Sequence, residues 1–147
     1  MIEEMDRKII RALNANARKS FREIAKELGT SATAVIHGVK RLEAAGTISG
    51  YIPVVDPARF GYDLTVVVAL AINQGKLLAA QRQIAKDPHV AVVFDVTGEW
   101  DSLVIAHFRG REDLNTFLKK LNASRNIART VTHLVLNTIK NDRRIAV

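Results

Sequence analysis

The sequence predicts an α+β protein in which three short helices come before an alternating series of strands and helices. Apolar residues in residues 1–47 recur at the spacing of amphipathic helices, whereas residues 64–140 alternate between the strand period and the helix period. Residues 50–62 lie between these parts and contain two prolines and two glycines, which interrupt regular structure. We therefore expect a helical domain at residues 1–50, a linker with one short strand at 51–63, and a mixed domain at 64–147.

The composition restricts the class of protein. The chain has 147 residues, a formal net charge of +7 and no cysteine, which excludes a disulfide framework, a cysteine nucleophile and a thiolate metal site. The most apolar run, residues 64–72, is far shorter than the roughly 20 residues of a membrane-spanning helix. The acidic residues Glu3, Glu4 and Asp6 are unlike a secretory signal. We expect a soluble cytoplasmic protein without a membrane partner.

The helical part contains signals for three helices. The first is expected over residues 6–14, with Asp6 as its N-cap. The second begins after Ser20, which forms a capping-box pattern with Glu23, and it ends at Gly29. The third begins near Ser31 and ends before residue 46.

Only three residues, 29–31, connect the second helix to the third. So short a connection that begins with glycine predicts a sharp crossing, which is the helix-turn-helix arrangement. It exposes the first turns of the third helix for the major groove of DNA, and a hairpin after it, starting with a strand at 51–55, would form a wing. Basic side chains flank this motif, as phosphate contacts require: Arg18, Lys19, Arg22, Lys26, Lys40 and Arg41. The alternative is a three-helix bundle that binds no nucleic acid.

The C-terminal part predicts a βαββαβ order of elements. Strands are expected at 64–73, 90–97, 103–109 and 129–140, and helices at 76–86 and 112–123. This order is that of the ferredoxin-like fold, in which two helices cover one face of a four-stranded antiparallel sheet.

The predicted strands carry apolar residues on both faces. In residues 66–71, for example, both alternate sets of positions are apolar. Two helices cover only one face, and the other would leave a larger apolar patch than a soluble monomer usually exposes. We therefore predict a homodimer that packs sheet against sheet, and the alternative is an unusually apolar face in contact with water.

The chain resembles the Lrp/AsnC family of transcription regulators. The resemblance rests on an ordered set of short motifs over nearly the whole chain: Asp6-Arg7-Lys8-Ile9-Ile10, Asn16-Ala17-Arg18, residues 21–29, Val39-Lys40-Arg41-Leu42-Glu43, Gly46-Thr47-Ile48, Gly50-Tyr51, Asp56-Pro57, Phe60-Gly61-Tyr62, Val96-Thr97-Gly98 with Asp101, and Arg129-Thr130-Val131-Thr132. It implies a winged helix-turn-helix that binds double-stranded DNA and a ferredoxin-like domain that dimerises and binds a small effector, usually an amino acid. It also implies assembly of dimers into tetramers or octamers, and no cofactor.

The resemblance places the DNA-reading positions on the first turns of the third helix. With Arg22, which the charge pattern adds, the candidate DNA-binding residues are Arg22, Ser31, Ala32, Thr33, Ala34, Ile36, His37, Lys40 and Arg41. Gly38 departs from relatives that are often rich in arginine here, and it removes a side chain that could contact phosphate. Ile36 could touch a thymine methyl group and His37 could donate to a base or a phosphate.

The resemblance places the effector site at the turn between the second and third strands. The candidate effector-binding residues are Thr97, Gly98, Glu99, Trp100, Asp101, Thr130 and Thr132. Asp101 would hold the ammonium group of an amino acid, Gly98 would let backbone N–H groups approach its carboxylate, and Trp100 would form a wall or pack across an interface. The alternative is a tight hairpin whose aspartate binds its own backbone.

No catalytic or metal-ligating pattern appears in the sequence. None of the four histidines lies in a metalloprotease motif, and there is no nucleophile elbow or phosphate-binding loop, so we expect no enzyme and no metal. His107 and His133 lie on predicted strands and are interpreted as core or interface residues. The sequence thus indicates a sequence-specific DNA-binding transcription regulator modulated by a small effector. The alternative is an oligomeric amino-acid sensor that acts on protein partners without DNA.

Overall fold

Five α-helices and four β-strands form the regular structure of residues 2–147, which are the residues that the computed structural model describes. In chain order they are α1 (Glu4–Ala15), α2 (Phe21–Leu28), α3 (Ala32–Ala44), β1 (Leu64–Ile72), α4 (Leu77–Ile84), β2 (Val90–Asp95), β3 (Ser102–Phe108), α5 (Arg111–Ala123) and β4 (Ile127–Leu134), with a short 3-10 helix at Pro57–Phe60. One unit comprises Met1–Val54 with Asn141–Val147, and the other comprises Val55–Lys140. The last seven residues, which the sequence analysis assigned to the C-terminal domain, thus group with the helices.

The first helix begins earlier than the sequence predicts. Its N-cap is Glu3, and the assignment of Asp6 as N-cap is wrong because Asp6 lies inside the first turn. There its Oδ2 accepts a hydrogen bond of 3.1 Å from the Glu3 N–H group, so the carboxylate satisfies a backbone donor of the helix start. Asp6 is only 2% exposed, which an isolated polar side chain would not tolerate.

The helix-turn-helix forms as predicted. The Ser20 Oγ accepts a hydrogen bond of 3.2 Å from the Glu23 N–H group, and the Glu23 carboxylate accepts one of 2.6 Å from the Ser20 N–H group. Gly29 ends α2 with φ at 65°, a left-handed conformation that glycine adopts without steric cost. Ser31 then caps α3 by accepting a hydrogen bond of 3.1 Å from the Ala34 N–H group.

A small aliphatic core holds the three helices together. Its buried members are Ile9, Ala12, Ile24, Ala25, Val35, Val39 and Leu42. The packing of α1 against α3 is tight at Gly38, where an added Cβ would lie 2.5 Å from Cδ1 of the fully buried Ile9. Glycine at this position therefore avoids a displacement of the Ile9 side chain in the core, although it lowers helix propensity.

The strand predicted at residues 51–55 is absent from the described chain. Residues 51–56 have no regular secondary structure, and the Val54 side chain is 96% exposed. The sequence pattern there is that of a strand, but no other segment of residues 2–147 pairs with it. Without a partner strand, the backbone N–H and C=O groups of an extended segment bind water and form no β-sheet hydrogen bonds.

The C-terminal unit confirms the predicted βαββαβ order. The four strands form one antiparallel sheet in the order β2-β3-β1-β4. The fourth strand ends at Leu134 and not at residue 140 as the sequence analysis expected. Leu134 pairs with Val66, two residues from the start of β1, and the Val135 N–H group donates one more hydrogen bond to the Thr65 carbonyl oxygen. Beyond that point little of β1 remains to pair with.

The two faces of the sheet are both rich in apolar residues, as predicted. The face under α4 and α5 forms the core of this unit, with buried members Val66, Val68, Leu70, Ile84, Val104, Ala106, Phe108, Phe117 and Leu121. By strand register, the opposite face carries Val67, Ala69, Phe94, Leu103, Ile105 and Val131. We call this second set the outer face. Phe94 is 50% exposed and Val131 is 36% exposed on it.

Among residues 2–147, no helix combines the length and the apolar character that crossing a membrane requires.

The contact between Gly38 and Ile9 can be tested with a double-mutant cycle. Gly38→Ala gains about 1 kcal/mol of helix propensity, but overpacking a core costs about 1–3 kcal/mol. We expect Gly38→Ala to destabilise the N-terminal unit in the parent chain and to stabilise it in an Ile9→Val chain, which lacks the Cδ1 atom. Urea unfolding of the four proteins measures the coupling free energy, and strictly additive effects would contradict this account.

Candidate DNA-binding surface and effector pocket

The predicted DNA-reading residues share an accessible face of α3. Six of them are exposed: Ser31, Thr33, Ala34, His37, Lys40 and Arg41. Ala32 and Ile36 are partly buried, and Arg22 is exposed on α2. The positions between them, Val35 and Val39, face the helical core. The folding of α3 against its neighbours thus leaves accessible the side that the sequence analysis assigned to DNA.

Gly38 lies on the opposite, buried side of α3. The sequence analysis interpreted it as the loss of a side chain that could touch phosphate. Its Cα faces Ile9 of α1, where any side chain would be enclosed by protein. The glycine therefore takes nothing away from the exposed face.

Arg41 is engaged in an intramolecular ion pair. Its Nη2 lies 2.6 Å from Oδ1 of the buried Asp6 and 3.6 Å from the Glu3 carboxylate. Burial raises the pKa of Asp6, but hydrogen bonds from Arg41 and the Glu3 N–H group outweigh burial and leave the pKa below its usual value. Arg41 thus fixes α3 to the start of α1, a role that the sequence analysis missed.

Several other basic side chains near the motif have no such partner. In the described part of the N-terminal unit, no acidic group lies within 4.0 Å of the cationic atoms of Arg18, Arg22, Lys26 and Lys40. Lys19 differs, because it pairs with Glu27. Unpaired exposed cations are available for phosphate oxygens, whereas a paired cation must first give up its partner.

The turn between β2 and β3 forms an open pocket of about 590 Å³. It is lined by Asp95, Val96, Thr97, Glu99, Trp100 and Leu103. Three of the seven residues predicted for effector binding, Thr97, Glu99 and Trp100, are among these. Asp95 and Leu103 were missed by the sequence analysis, although both flank the turn on the ends of their strands. The lining combines carboxylates, a hydroxyl group and apolar walls.

Asp101 fixes the turn to the sheet. Its Oδ2 accepts a hydrogen bond of 2.7 Å from the Ile72 N–H group, and its own N–H group donates to the Leu70 carbonyl oxygen over 2.9 Å. Asp101 and Gly98 are not among the lining residues. The Asp101 side chain thus binds the backbone at the end of β1, a contact that neither the effector role nor the local hairpin alternative includes and that sequence spacing cannot reveal.

Thr130 and Thr132 lie on one side of β4, the side that faces the helices. They pair with Leu70 and Val68, whose side chains are in the core. The Thr130 Oγ1 donates a hydrogen bond of 3.0 Å to Asn122 Oδ1 on α5. Neither threonine lines the pocket within this chain.

Arg129, next to Thr130, does not line the pocket itself but contacts two lining residues from β4. Its Nη2 lies 3.0 Å from Glu99 Oε1, and its guanidinium carbon lies 4.4 Å from the centre of the Trp100 ring. Because side chains alternate along a strand, Arg129 projects to the face opposite Thr130. The alternation of side chains along β4 was therefore the signal in the sequence that could have identified Arg129 as a neighbour of the turn.

The histidines form no metal site in the part of the chain that the structure describes, where no three ligating side chains converge. His107 pairs with Thr65, and His133 with Val67, so β1 separates them and they are not direct neighbours. Burial lowers the pKa of His107, whose Nδ1 lies 2.9 Å from Thr65 Oγ1.

Comparisons with known proteins match both domains of the chain. Residues 2–43 match a model of the AsnC-type helix-turn-helix domain, and residues 65–145 match a model of the Lrp/AsnC ligand binding domain. An uncharacterized HTH-type transcriptional regulator of Pyrococcus abyssi is 41% identical over 99% of each chain. An HTH-type transcriptional regulator of Methanocaldococcus jannaschii is 34% identical over 100% of each chain.

Solved structures share the whole architecture. AsnC of Escherichia coli matches with a TM-score of 0.88 and 25% identity over 97% of each chain. A transcriptional regulator of Neisseria meningitidis in complex with L-Met matches with a TM-score of 0.90 at 23% identity, over 99% of this chain and 97% of that one. The family model of the C-terminal domain covers more than half of the chain, and the relatives cover nearly all of it. The chain therefore belongs to the Lrp/AsnC family of transcription regulators.

Proposed function

We propose that this transcription regulator binds specific sequences of double-stranded DNA through α3, as a homodimer, and that an amino acid bound at the turn between β2 and β3 modulates its assembly or its DNA binding. The observation that carries the proposal is the exposed, cation-flanked face of α3 in a chain that also forms a pocket of about 590 Å³. This role places the protein in the cytoplasm, with the DNA.

The DNA-binding step rests on shape and charge together. Ser31 caps α3, so the helix starts cleanly and its first N–H groups point outward, where they attract phosphate. Arg22 and Lys40 flank the exposed face as unpaired cations and supply phosphate contacts. Thr33 and His37 are the exposed polar side chains on that face that can reach base edges.

The dimer rests on the outer face of the sheet. Its apolar side chains span all four strands, and two copies packed face to face would remove them from water. A two-fold dimer presents two copies of α3, which suit half-sites about one turn of DNA, or a multiple of it, apart. Dimers then assemble further into tetramers or octamers.

The effector step rests on the chemistry of the pocket. Asp95 offers a carboxylate to an ammonium group, Thr97 offers a hydroxyl group, and Trp100 and Leu103 offer apolar walls. An amino acid carries groups that match each of these. Asp101 acts by holding the turn in place, and it does not itself contact the effector. The L-Met bound to the Neisseria regulator makes L-methionine a first compound to test.

DNA binding is tested by titrating the protein against random-sequence duplex DNA at several salt concentrations. We expect affinity to fall steeply with salt, and Lys40→Ala to weaken binding and reduce the salt slope by about 0.9, the value for one lost phosphate contact. Lys119→Ala, an exposed lysine of α5, is the matched control and should leave both quantities unchanged. Binding that does not depend on salt would refute the DNA-binding proposal.

Arg41→Ala should lower the unfolding free energy of the protein, because it leaves the buried Asp6 carboxylate unpaired.

The role of Asp101 is tested by comparing Asp101→Ala with Asp101→Asn. The asparagine oxygen can still accept the hydrogen bond from the Ile72 N–H group, whereas alanine cannot. We expect Asp101→Ala to lose effector binding and Asp101→Asn to retain most of it, as measured by calorimetric titration with the amino acid that binds. Equal loss in both variants would instead assign the negative charge of Asp101 to the ammonium group.

The dimer is tested by sedimentation equilibrium at micromolar concentration. The parent chain should be a dimer or larger, and Val131→Glu, which places a charge on the outer face, should shift the equilibrium towards the monomer. Leu78→Glu is the matched control, because Leu78 is an exposed apolar residue on α4, away from that face. A parent chain that sediments as a monomer would contradict the dimer.

A further inference from the structure

Arg129 stands over two residues that line the effector pocket. One guanidinium nitrogen lies 3.0 Å from Glu99 Oε1, and the guanidinium carbon lies 4.4 Å from the centre of the Trp100 ring. The pair of Arg129 and Glu99 therefore lies at the edge of the pocket.

The two carboxylates that line the pocket differ in their partners. Among the described residues, no cation lies within 4.0 Å of the Asp95 carboxylate. Glu99, the other carboxylate of the lining, is paired with Arg129. An amino acid carries one positive and one negative group. The ammonium group can bind the unpaired carboxylate of Asp95. The carboxylate group can bind Arg129, but only in place of Glu99, which already contacts it.

The contact between Arg129 and Glu99 is easily exchanged. Both side chains are more than half exposed, at 58% and 71%, and exposed ion pairs contribute only about 0–1 kcal/mol. The ring of Trp100 supports the guanidinium group from below through a cation–π contact, which does not depend on Glu99. Arg129 therefore keeps its place when its carboxylate partner changes, and its planar donors can bind a new carboxylate with two hydrogen bonds.

We propose that Arg129 binds the carboxylate of the amino-acid effector, and that Glu99 is the intramolecular competitor for the same guanidinium group. The inference rests on the proposed effector function and names the residue that recognises the carboxylate end. The effector then lies with its ammonium group at Asp95 and its side chain against Trp100 and Leu103. Its binding releases Glu99 from β4 and so changes how the turn is held.

The experiment uses the fluorescence of Trp100, the single tryptophan of the chain, which Arg129 contacts directly. The full-length protein is titrated with each of the twenty standard amino acids, L-methionine included, and calorimetry confirms each binding event. Every amino acid that binds is then compared with its carboxamide, which keeps the ammonium group and the side chain but lacks the carboxylate charge. We expect the carboxamide to bind at least about tenfold more weakly, as for the loss of a charge-assisted hydrogen bond.

Variants separate the two parts of the inference. Arg129→Gln should weaken binding about tenfold and remove the preference for the acid over its carboxamide, a preference that a purely structural role of Arg129 would leave intact. Glu99→Gln should strengthen binding severalfold, because the competitor loses its charge, and it should have no effect when Arg129→Gln is also present. Arg125→Gln, at an exposed arginine just before β4, is the matched control and should bind like the parent.

Each result has a definite meaning. Failure of all twenty amino acids to bind would refute the proposed effector function and this inference with it. Binding with equal affinity for acid and carboxamide, or undiminished binding by Arg129→Gln, would overturn the role of Arg129 while the effector function stands. Weaker binding by Glu99→Gln would overturn the role of Glu99 as competitor and assign its carboxylate to the effector.

Discussion

The contact between α1 and α3 decides which side of α3 is accessible. At Gly38, the Ile9 side chain of α1 fills the space that a side chain on α3 would need. At the start of α1, the buried Asp6 carboxylate holds Arg41, so α3 is fixed against rotation as well as packed. A helix that reads base edges must present a defined set of side chains. If the helix rotated about its axis by one residue position, different side chains would face the DNA. The local packing of α1 and α3 is therefore the condition for any sequence-specific contact by α3.

Much of this unit could be predicted from the sequence because its signals are local. The capping box of Ser20 and Glu23, the helix end at Gly29 and the apolar spacing of α2 depend on neighbours a few residues apart. The roles of Asp6 and Arg41 could not be predicted in this way, since 35 residues separate the two partners in the sequence. The same limit explains the misjudged Gly38, whose reason lies in a neighbouring helix.

The sheet shows the same division between local and long-range information. The antiparallel four-stranded sheet and its two apolar faces follow from alternation and from the order of elements along the chain, and both were predicted. The end of β4 and the unpaired segment at residues 51–56 depend on where a partner strand begins or is absent, which residue periodicity does not encode. At the pocket, the turn was located by resemblance. The hydrogen bond from Ile72 to Asp101 and the reach of Arg129 from β4 required coordinates.

The turn between β2 and β3 is attached to every strand of the sheet. It is covalently continuous with β2 and β3, Asp101 ties it to the end of β1, and Glu99 ties it to Arg129 on β4. Leu103, at the start of β3, lines the pocket and also belongs to the outer face. A ligand that exchanges one of these attachments therefore acts on the same strands that carry the apolar surface proposed for the dimer.

This arrangement gives the proposed regulation a physical route. Binding energy at the turn can change the packing of the outer face only if the two states of the turn differ in their contacts with the strands, and the exchange of Glu99 at Arg129 supplies such a difference. The coupling must be reciprocal, so an assembly that stabilises one state of the turn also changes effector affinity by the same factor. Because the exchanged ion pair is exposed and weak, the coupling is small for one chain. An assembly of several identical chains sums these small terms, which is a physical reason for such a regulator to act as an oligomer.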